Sequence, residues 1–164
     1  MTHIKVLFVC LGNICRSPLA KGIFLSQIEK LDLTKKVSCD SAATSNSQVG
    51  DSPDHRSQKI ANTFGFQLTH IARKITEEDF ENFDYILAMD EENFKNINLI
   101  KQKSTSLASK AKIKMMLDFH PNPLLKEVPD PYYGNSKDFE NVFNLLDAAN
   151  EGFIKFLKHE HGWD

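Results

Sequence analysis

The sequence predicts a doubly wound α/β fold: a mostly parallel sheet of four strands with helices on both faces. Two apolar runs and the stretches between them carry that expectation. "IKVLFV" (4–9) is a short apolar run without alternation, the pattern of a strand buried on both faces. "FDYILAMD" (83–90) repeats it in the second half of the chain. The stretches around them place apolar residues at helical spacing, so strands alternate with helices, as parallel strands require.

The elements follow in order. Ser17-Pro18 has the form of an N-cap followed by proline at the first helical position. Leu19, Ala20, Ile23, Phe24, Ile28 and Leu31 then recur at helical spacing. A second strand is expected near 36–43, and 50–53 reads as loop. Pro53 and Gly65 bracket a helix with Ile60, Ala61 and Phe64 on its inner face. Thr76-x-x-Asp79 resembles a capping arrangement for a short helix. Asp90 stands where it can cap the helix after the third strand. "KIKMMLDF" (112–119) is the expected fourth strand. A proline-rich stretch separates it from a long helix starting near Ser136, with Phe139, Val142, Phe143, Leu146, Ala149, Phe153, Phe156 and Leu157 at 3.6-type spacing.

The bulk properties exclude several classes. The 164 residues suit one domain, and a formal charge of −2 gives no general argument for nucleic acid or an acidic membrane surface. No apolar run reaches the length of a membrane span, and no signal-peptide pattern is present. Three cysteines, Cys10, Cys15 and Cys39, are too few for a disulfide framework, so a reducing cytosol is the expected setting. Arginine is scarce: only Arg16, Arg56 and Arg73 occur.

One of those arginines lies in "VCLGNICRSP" (9–18), which separates Cys10 from Arg16 by five residues at the carboxyl end of the first strand. Doubly wound sheets bind ligands at that end. A strand, a tight loop and a helix N-terminus aim backbone N–H groups at one point, and the helix dipole adds partial positive charge. Gly12 takes φ > 0 without penalty and Asn13 tolerates it, so the loop can curl its amides inward as a nest. Arg16 supplies a planar fork for two phosphate oxygens. The nucleotide-binding GxxxxGK[ST] pattern is absent, and a cysteine stands at the loop's entrance. The same donors favour the Cys10 thiolate, which beneath a bound phosphoryl group is placed for in-line displacement. That chemistry needs no metal ion. A small buried cysteine and a surface arginine would explain either residue alone, but not their combination with Gly-Asn and Ser-Pro.

An ester leaving group needs a proton, and "PDPYYG" offers the strongest donor. Asp130 lies between Pro129 and Pro131, and Pro131 biases it towards extended backbone. A carboxyl held over the cleft can protonate the leaving oxygen and then take a proton from water. An aspartate between prolines equally makes a plain turn. Tyr132 and Tyr133 suit the core, the rim or the wall of a cleft. The histidines show no metal-ligand spacing with the cysteines. The lysine-rich 101–114 stretch reads as a solvated face able to steer anions.

With these residues in view, the chain resembles the low-molecular-weight protein tyrosine phosphatase family. "VLFVCLGNICRSP", "DSAATS", "DYILAMDEEN" and "DPYYGNSKDFE" carry the resemblance over nearly the whole chain. It implies one phosphatase domain over 1–164, hydrolysing phosphotyrosine and small aryl phosphates through a cysteinyl-phosphate, without metal or cofactor. It implies Cys10 as nucleophile, Arg16 as phosphate clamp, and Asp130 as general acid and then base. Leu11, Gly12, Asn13, Ile14, Cys15 and Ser17 would surround the phosphate, with Ser17 bonded to the thiolate. Asn13 and Ser41 would hold the loop's shape, with Thr34 in the same network and His70 and Asp90 as a supporting pair. Tyr132 and Tyr133 would line the cleft, and Cys15 would form a reversible, protective disulfide with Cys10. The implied partners are phosphotyrosine-containing proteins, and the chain is expected to be cytoplasmic, a monomer or weakly self-associating.

One departure concerns specificity. Family members with a strong aryl preference often carry an aromatic after "DSAATS", where this chain reads "NSQVGD" with Ser47 at the position. A phosphoarginine-directed branch resembles the fold with threonine in place of Ile14. Arsenate reductases of this fold need further downstream cysteines, and none follows Cys39. A module that only binds phosphate needs neither the thiol nor the acid.

Overall fold

A computed structural model describes residues 2–164. Strands β1 (Ile4–Cys10), β2 (Val37–Ala43), β3 (Tyr85–Ala88) and β4 (Lys112–Met115) form one parallel sheet in the order β2-β1-β3-β4. β1 is central, which explains its apolar run from Val6 onward; only Lys5, near its start, is charged and exposed. Ile4, Val6, Phe8 and Cys10 join one apolar cluster, while Leu7 and Val9 join another on the opposite face.

Helices α1 (Arg16–Lys30), α2 (His55–Thr63) and α5 (Ser136–His161) contribute to the first cluster through Leu19, Ile23, Phe24, Ala61, Val142 and Phe153, among others. The short α3 (Asp79–Asn82) and α4 (Glu91–Lys103) cover the second face through Phe80 and Ile97. The chain runs from β1 outward to β2, then crosses back to β3 on the other side of β1. A crevice therefore opens between the carboxyl ends of β1 and β3.

α5 begins with a capping box. The Asn135 side chain accepts from the Lys137 and Asp138 N–H groups, and Asp138 accepts from the Asn135 N–H. It ends at Gly162, whose φ of 66° is the left-handed stop that glycine permits. Midway, Gly152 lies so close to the 3-10 helix of Met116–Phe119 that a Cβ would collide with the Phe119 carbonyl oxygen.

Several local expectations are corrected. α1 begins at Arg16, and the Ser17 hydroxyl caps nothing because Cys10 and Asn13 engage it. Pro18 is tolerated because the first turn's N–H groups have no intrahelical partner. The fourth strand stops at Met115, where Asp118 accepts the Met115 N–H at 3.2 Å and folds 116–119 into the 3-10 helix. Phe64 is half exposed beyond the end of α2, stacked on Phe143 at 3.9 Å, not on the inner face. Asp79 accepts the Thr76 N–H at 2.7 Å as expected, but α3 starts at Asp79 itself. Among the described residues, no helix is long and apolar enough to cross a membrane.

Candidate active site

The loop between β1 and α1 is shaped from outside. The Cys10 carbonyl accepts from Thr44 N–H at 3.0 Å, Leu11 from Ser45 at 3.0 Å, Ile14 from Asp54 at 2.8 Å, and Cys15 from Leu19 at 3.4 Å. A trans peptide points each following N–H the opposite way. The N–H groups of Leu11, Gly12, Cys15 and Arg16 therefore point away from those partners. The positive φ falls on Asn13, at 60°, and not on Gly12. Gly12 matters for space instead: a Cβ there would come within 3.2 Å of the Gln48 Cγ across the pocket mouth.

Asn13 is fully buried and organises the network beneath the loop. Its Oδ1 accepts from the Arg73 N–H at 3.1 Å and from His70 Nε2 at 2.6 Å. Its Nδ2 then donates to Ser17 Oγ at 2.7 Å and Ser41 Oγ at 2.9 Å. Ser17 Oγ accepts that bond, so its own hydrogen is free for Cys10 Sγ at 3.0 Å, and the Asn13 N–H adds a second donor at 3.3 Å. Lys21 Nζ can only donate to His70 Nδ1, at 3.2 Å, which places the ring proton on Nε2. Burial first, and then the Lys21 charge, push His70 down to about 4 against the pull of Asp40, so the ring is neutral.

Arg16 is buried at the bottom of the crevice. Its Nη1 donates to Asp90 Oδ2 at 2.6 Å and to the Val128 carbonyl at 3.0 Å. Its Nη2 lies 3.6 Å from Asp130 Oδ2. Asp90 also caps α4, accepting the Asn93 N–H at 2.7 Å. Cys10, Gly12, Arg16 and Asp130 line a cavity of about 220 Å³, walled on one side by Tyr132 and Tyr133 and on the other by Ser47 and Gln48. Cys15 lines it too, and burial, then the negative charge of Asp54, pushes its thiol up to about 12.

A thiol, a guanidinium and a carboxyl thus meet in one crevice, and comparison with known proteins shows the family. The sequence model of the family "Low molecular weight phosphotyrosine protein phosphatase" matches residues 5–162. The chain belongs to this family. Among its relatives, the human low molecular weight phosphotyrosine protein phosphatase is 45% identical over 152 residues, 92% of this chain and 94% of that protein. The Schizosaccharomyces pombe protein of the same name is 40% identical, covering 94% and 97%. A crystal structure of protein tyrosine phosphatase from Entamoeba histolytica aligns with a TM-score of 0.85 at 41% identity, covering 97% and 98%. A Drosophila arginine phosphatase aligns with a TM-score of 0.90 at 30% identity, covering 94% and 98%.

Most residues expected from the family resemblance meet in the crevice of this phosphatase-family chain: Cys10, Leu11, Gly12, Ile14, Cys15, Arg16, Asp130, Tyr132 and Tyr133 line it, with Asn13, Ser17 and Ser41 beneath. His70 bonds to Asn13 and Asp90 to Arg16, so each meets the loop at a different residue. One expectation is corrected. Thr34 lies exposed in the turn before β2, and the network is built without it. The Val128 carbonyl was not foreseen, because a backbone acceptor leaves no mark in a side-chain pattern. Lys21, Asp40 and Arg73 were also missed, since each reads alone as an ordinary surface charge.

Proposed function

We propose that this chain, as one phosphatase domain, hydrolyses phosphotyrosine in proteins and small aryl phosphates. The observation that carries the reading is the convergence of Cys10, Arg16 and Asp130 on one cavity of about 220 Å³. The loop N–H groups and Arg16 take the phosphoryl oxygens. The Cys10 thiolate, held by Ser17 and Asn13, attacks phosphorus; the P–S bond forms as the P–O bond to the tyrosyl oxygen breaks, and Asp130 gives that oxygen its proton. Asp130 then takes a proton from water, which attacks phosphorus and releases inorganic phosphate and the thiolate. Charge developing on the equatorial oxygens meets donors already in place, worth about 3–4 kcal/mol for a well-placed one. No step calls for a metal ion. Tyr132 and Tyr133 suit an aryl leaving group, and Ile14 at the rim favours an apolar ring over the charged phosphoarginine side chain.

Other features support a cytoplasmic, redox-sensitive enzyme. Cys10, Cys15 and Cys39 are free thiols, in keeping with a reducing compartment. Peroxide would convert the Cys10 thiolate to a sulfenic acid, and the Cys15 thiol in the same cavity would then displace water to form a disulfide. Every catalytic group comes from one chain, which suits a monomer.

The test is p-nitrophenyl phosphate and phosphotyrosyl-peptide hydrolysis by reduced protein in EDTA, beside Cys10→Ser. Turnover in the wild type that vanishes in the variant is expected. Normal turnover by Cys10→Ser would overturn the mechanism.

A further inference from the structure

Asp130 stands on irregular chain between the 3-10 helix and α5, with its side chain 43% exposed; two residues upstream, Val128 is held at both backbone groups, its N–H by the Met89 carbonyl at 2.8 Å and its carbonyl by Arg16 Nη1 at 3.0 Å. The Asp130 side chain's one backbone tie is local: Oδ1 accepts the Tyr132 N–H at 3.1 Å. Downstream of Asp130, the longer-range hold comes from the first turn of α2. The Asp54 N–H donates to the Ile14 carbonyl at 2.8 Å, and Ser57 Oγ to the Cys15 carbonyl at 3.5 Å, fastening that turn to the nucleophile loop. The Asp54 carboxylate takes Arg56 Nε at 3.0 Å and Nη2 at 2.9 Å. The same guanidinium reaches across to the acid stretch, Nη2 donating to the Tyr132 carbonyl at 2.9 Å and Nη1 to the Gly134 carbonyl at 3.3 Å. It also lies over the Phe139 ring at 4.5 Å and the Tyr132 ring at 5.7 Å.

We propose that Arg56, seated on Asp54, is a positioning residue that sets the acid stretch 130–134 at its working distance from the Cys10–Arg16 loop. The inference rests on reading Asp130 as the general acid. Arg56 is absent from the residues that line the cavity, so it acts through the backbone of residues 132 and 134. Only a planar fork can bridge a carboxylate and two carbonyls while stacking on aromatic faces; an ammonium presents a point charge with no such plane. Loss of the brace leaves the Cys10–Arg16 loop and the Arg16–Asp90 pair in place, and lets the acid drift. A drift of about 1 Å costs on the order of 100-fold in the step that needs the acid, and little elsewhere.

The experiment compares wild type, Arg56→Ala, Arg56→Lys, Asp130→Asn and the Arg56→Ala/Asp130→Asn double variant, each first checked for a cooperative thermal transition. kcat/KM is measured for p-nitrophenyl phosphate, whose leaving group departs with little help, and for phenyl phosphate, whose leaving group needs the proton. Arg56→Ala is expected to lower kcat/KM for phenyl phosphate by about 10- to 100-fold and for p-nitrophenyl phosphate by about threefold or less. Inhibition by inorganic phosphate stays unchanged. Arg56→Lys keeps the defect, and the double variant is no worse than Asp130→Asn. Equal losses on both substrates, weaker phosphate inhibition, or an additive double variant would each overturn the brace. Asp130→Asn alone separates the two readings: if it leaves leaving-group dependence unchanged, the acid assignment fails and the brace with it. If Asp130→Asn shows that dependence and Arg56→Ala does not, only the brace fails.

Discussion

Asp90 holds Arg16 with one carboxylate oxygen and its own helix with the other. Oδ2 accepts from Arg16 Nη1 at 2.6 Å, and Oδ1 accepts the Asn93 N–H at the start of α4 at 2.7 Å. The cap fixes the carboxylate, and the carboxylate fixes the guanidinium. A buried arginine without such a partner would carry an uncompensated charge.

Asp90→Asn keeps the cap and removes the charge. Phosphate inhibition and KM for aryl phosphates should weaken by about 10-fold, and stability should fall by about 2 kcal/mol, below the range for a fully buried pair because Asp90 is partly exposed. Phosphate inhibition and a urea midpoint check this. Unchanged phosphate affinity would mean that the Val128 carbonyl alone suffices to aim Arg16.

Ser17 has its hydrogen directed at Cys10 by the Asn13 amide. Ser17→Ala removes the hydroxyl donor to the proposed Cys10 nucleophile, and a bond to the charge of the proposed attacking sulfur is worth about 2 kcal/mol, so kcat/KM should drop roughly 30-fold. Alkylation of Cys10 by iodoacetate at a fixed mildly acidic pH should slow in parallel. An alkylation rate equal to wild type would show that the hydroxyl does not stabilise the thiolate.

His70 gives the acid arm of stability a specific cause. Its value is about 4 in the folded chain against an ordinary 6.5, so the unfolded chain binds the proton more readily. The stability this group contributes is complete above about pH 6.5, drains away as pH falls towards 4, and changes no further below it. Urea midpoints taken between these limits should fall more steeply with acid for wild type than for His70→Gln. Parallel curves would remove His70 from the account.

Gly152 is a helical glycine whose replacement by a better helix former should still destabilise. Alanine would gain about 1 kcal/mol in helix propensity. It would also force α5 away from the Phe119 carbonyl oxygen, and overpacking of this kind costs about 1–3 kcal/mol or more against backbone. Gly152→Ala should therefore lower the urea midpoint while exposed Glu151→Ala leaves it nearly unchanged. A stabilised Gly152→Ala would show that α5 shifts freely.

How legible each feature was depended on how local its cause is. β1 was readable because a strand covered on both faces is apolar at nearly every position, with only Lys5 exposed at its start. α5 was readable because its one apolar stripe lies within a continuous segment that follows the proline-rich stretch. The end of β4 was not, because Asp118 turning back onto Met115 competes with a strand pattern that its apolar residues equally satisfy. Ser17 misled for a similar reason: Ser-Pro marks helix starts in general, but here the hydroxyl is engaged by Cys10 and Asn13.

The order of residues along the chain was enough for the alternation of strands and helices, the Cys10–Arg16 loop at the end of β1, and Asp130 among prolines, since each depends on neighbours a few positions apart. Folding over long distances settled the rest. Which amide face Asn13 shows to Ser17 depends on Arg73 and His70, about sixty residues away. Arg16 finds its carbonyl at Val128, and Arg56 reaches the acid stretch through Tyr132 and Gly134. In each case one partner is a backbone group, an N–H of Arg73 or a carbonyl of Val128, Tyr132 or Gly134. A backbone group has no residue type, so only the path of the chain through space brings it to its partner.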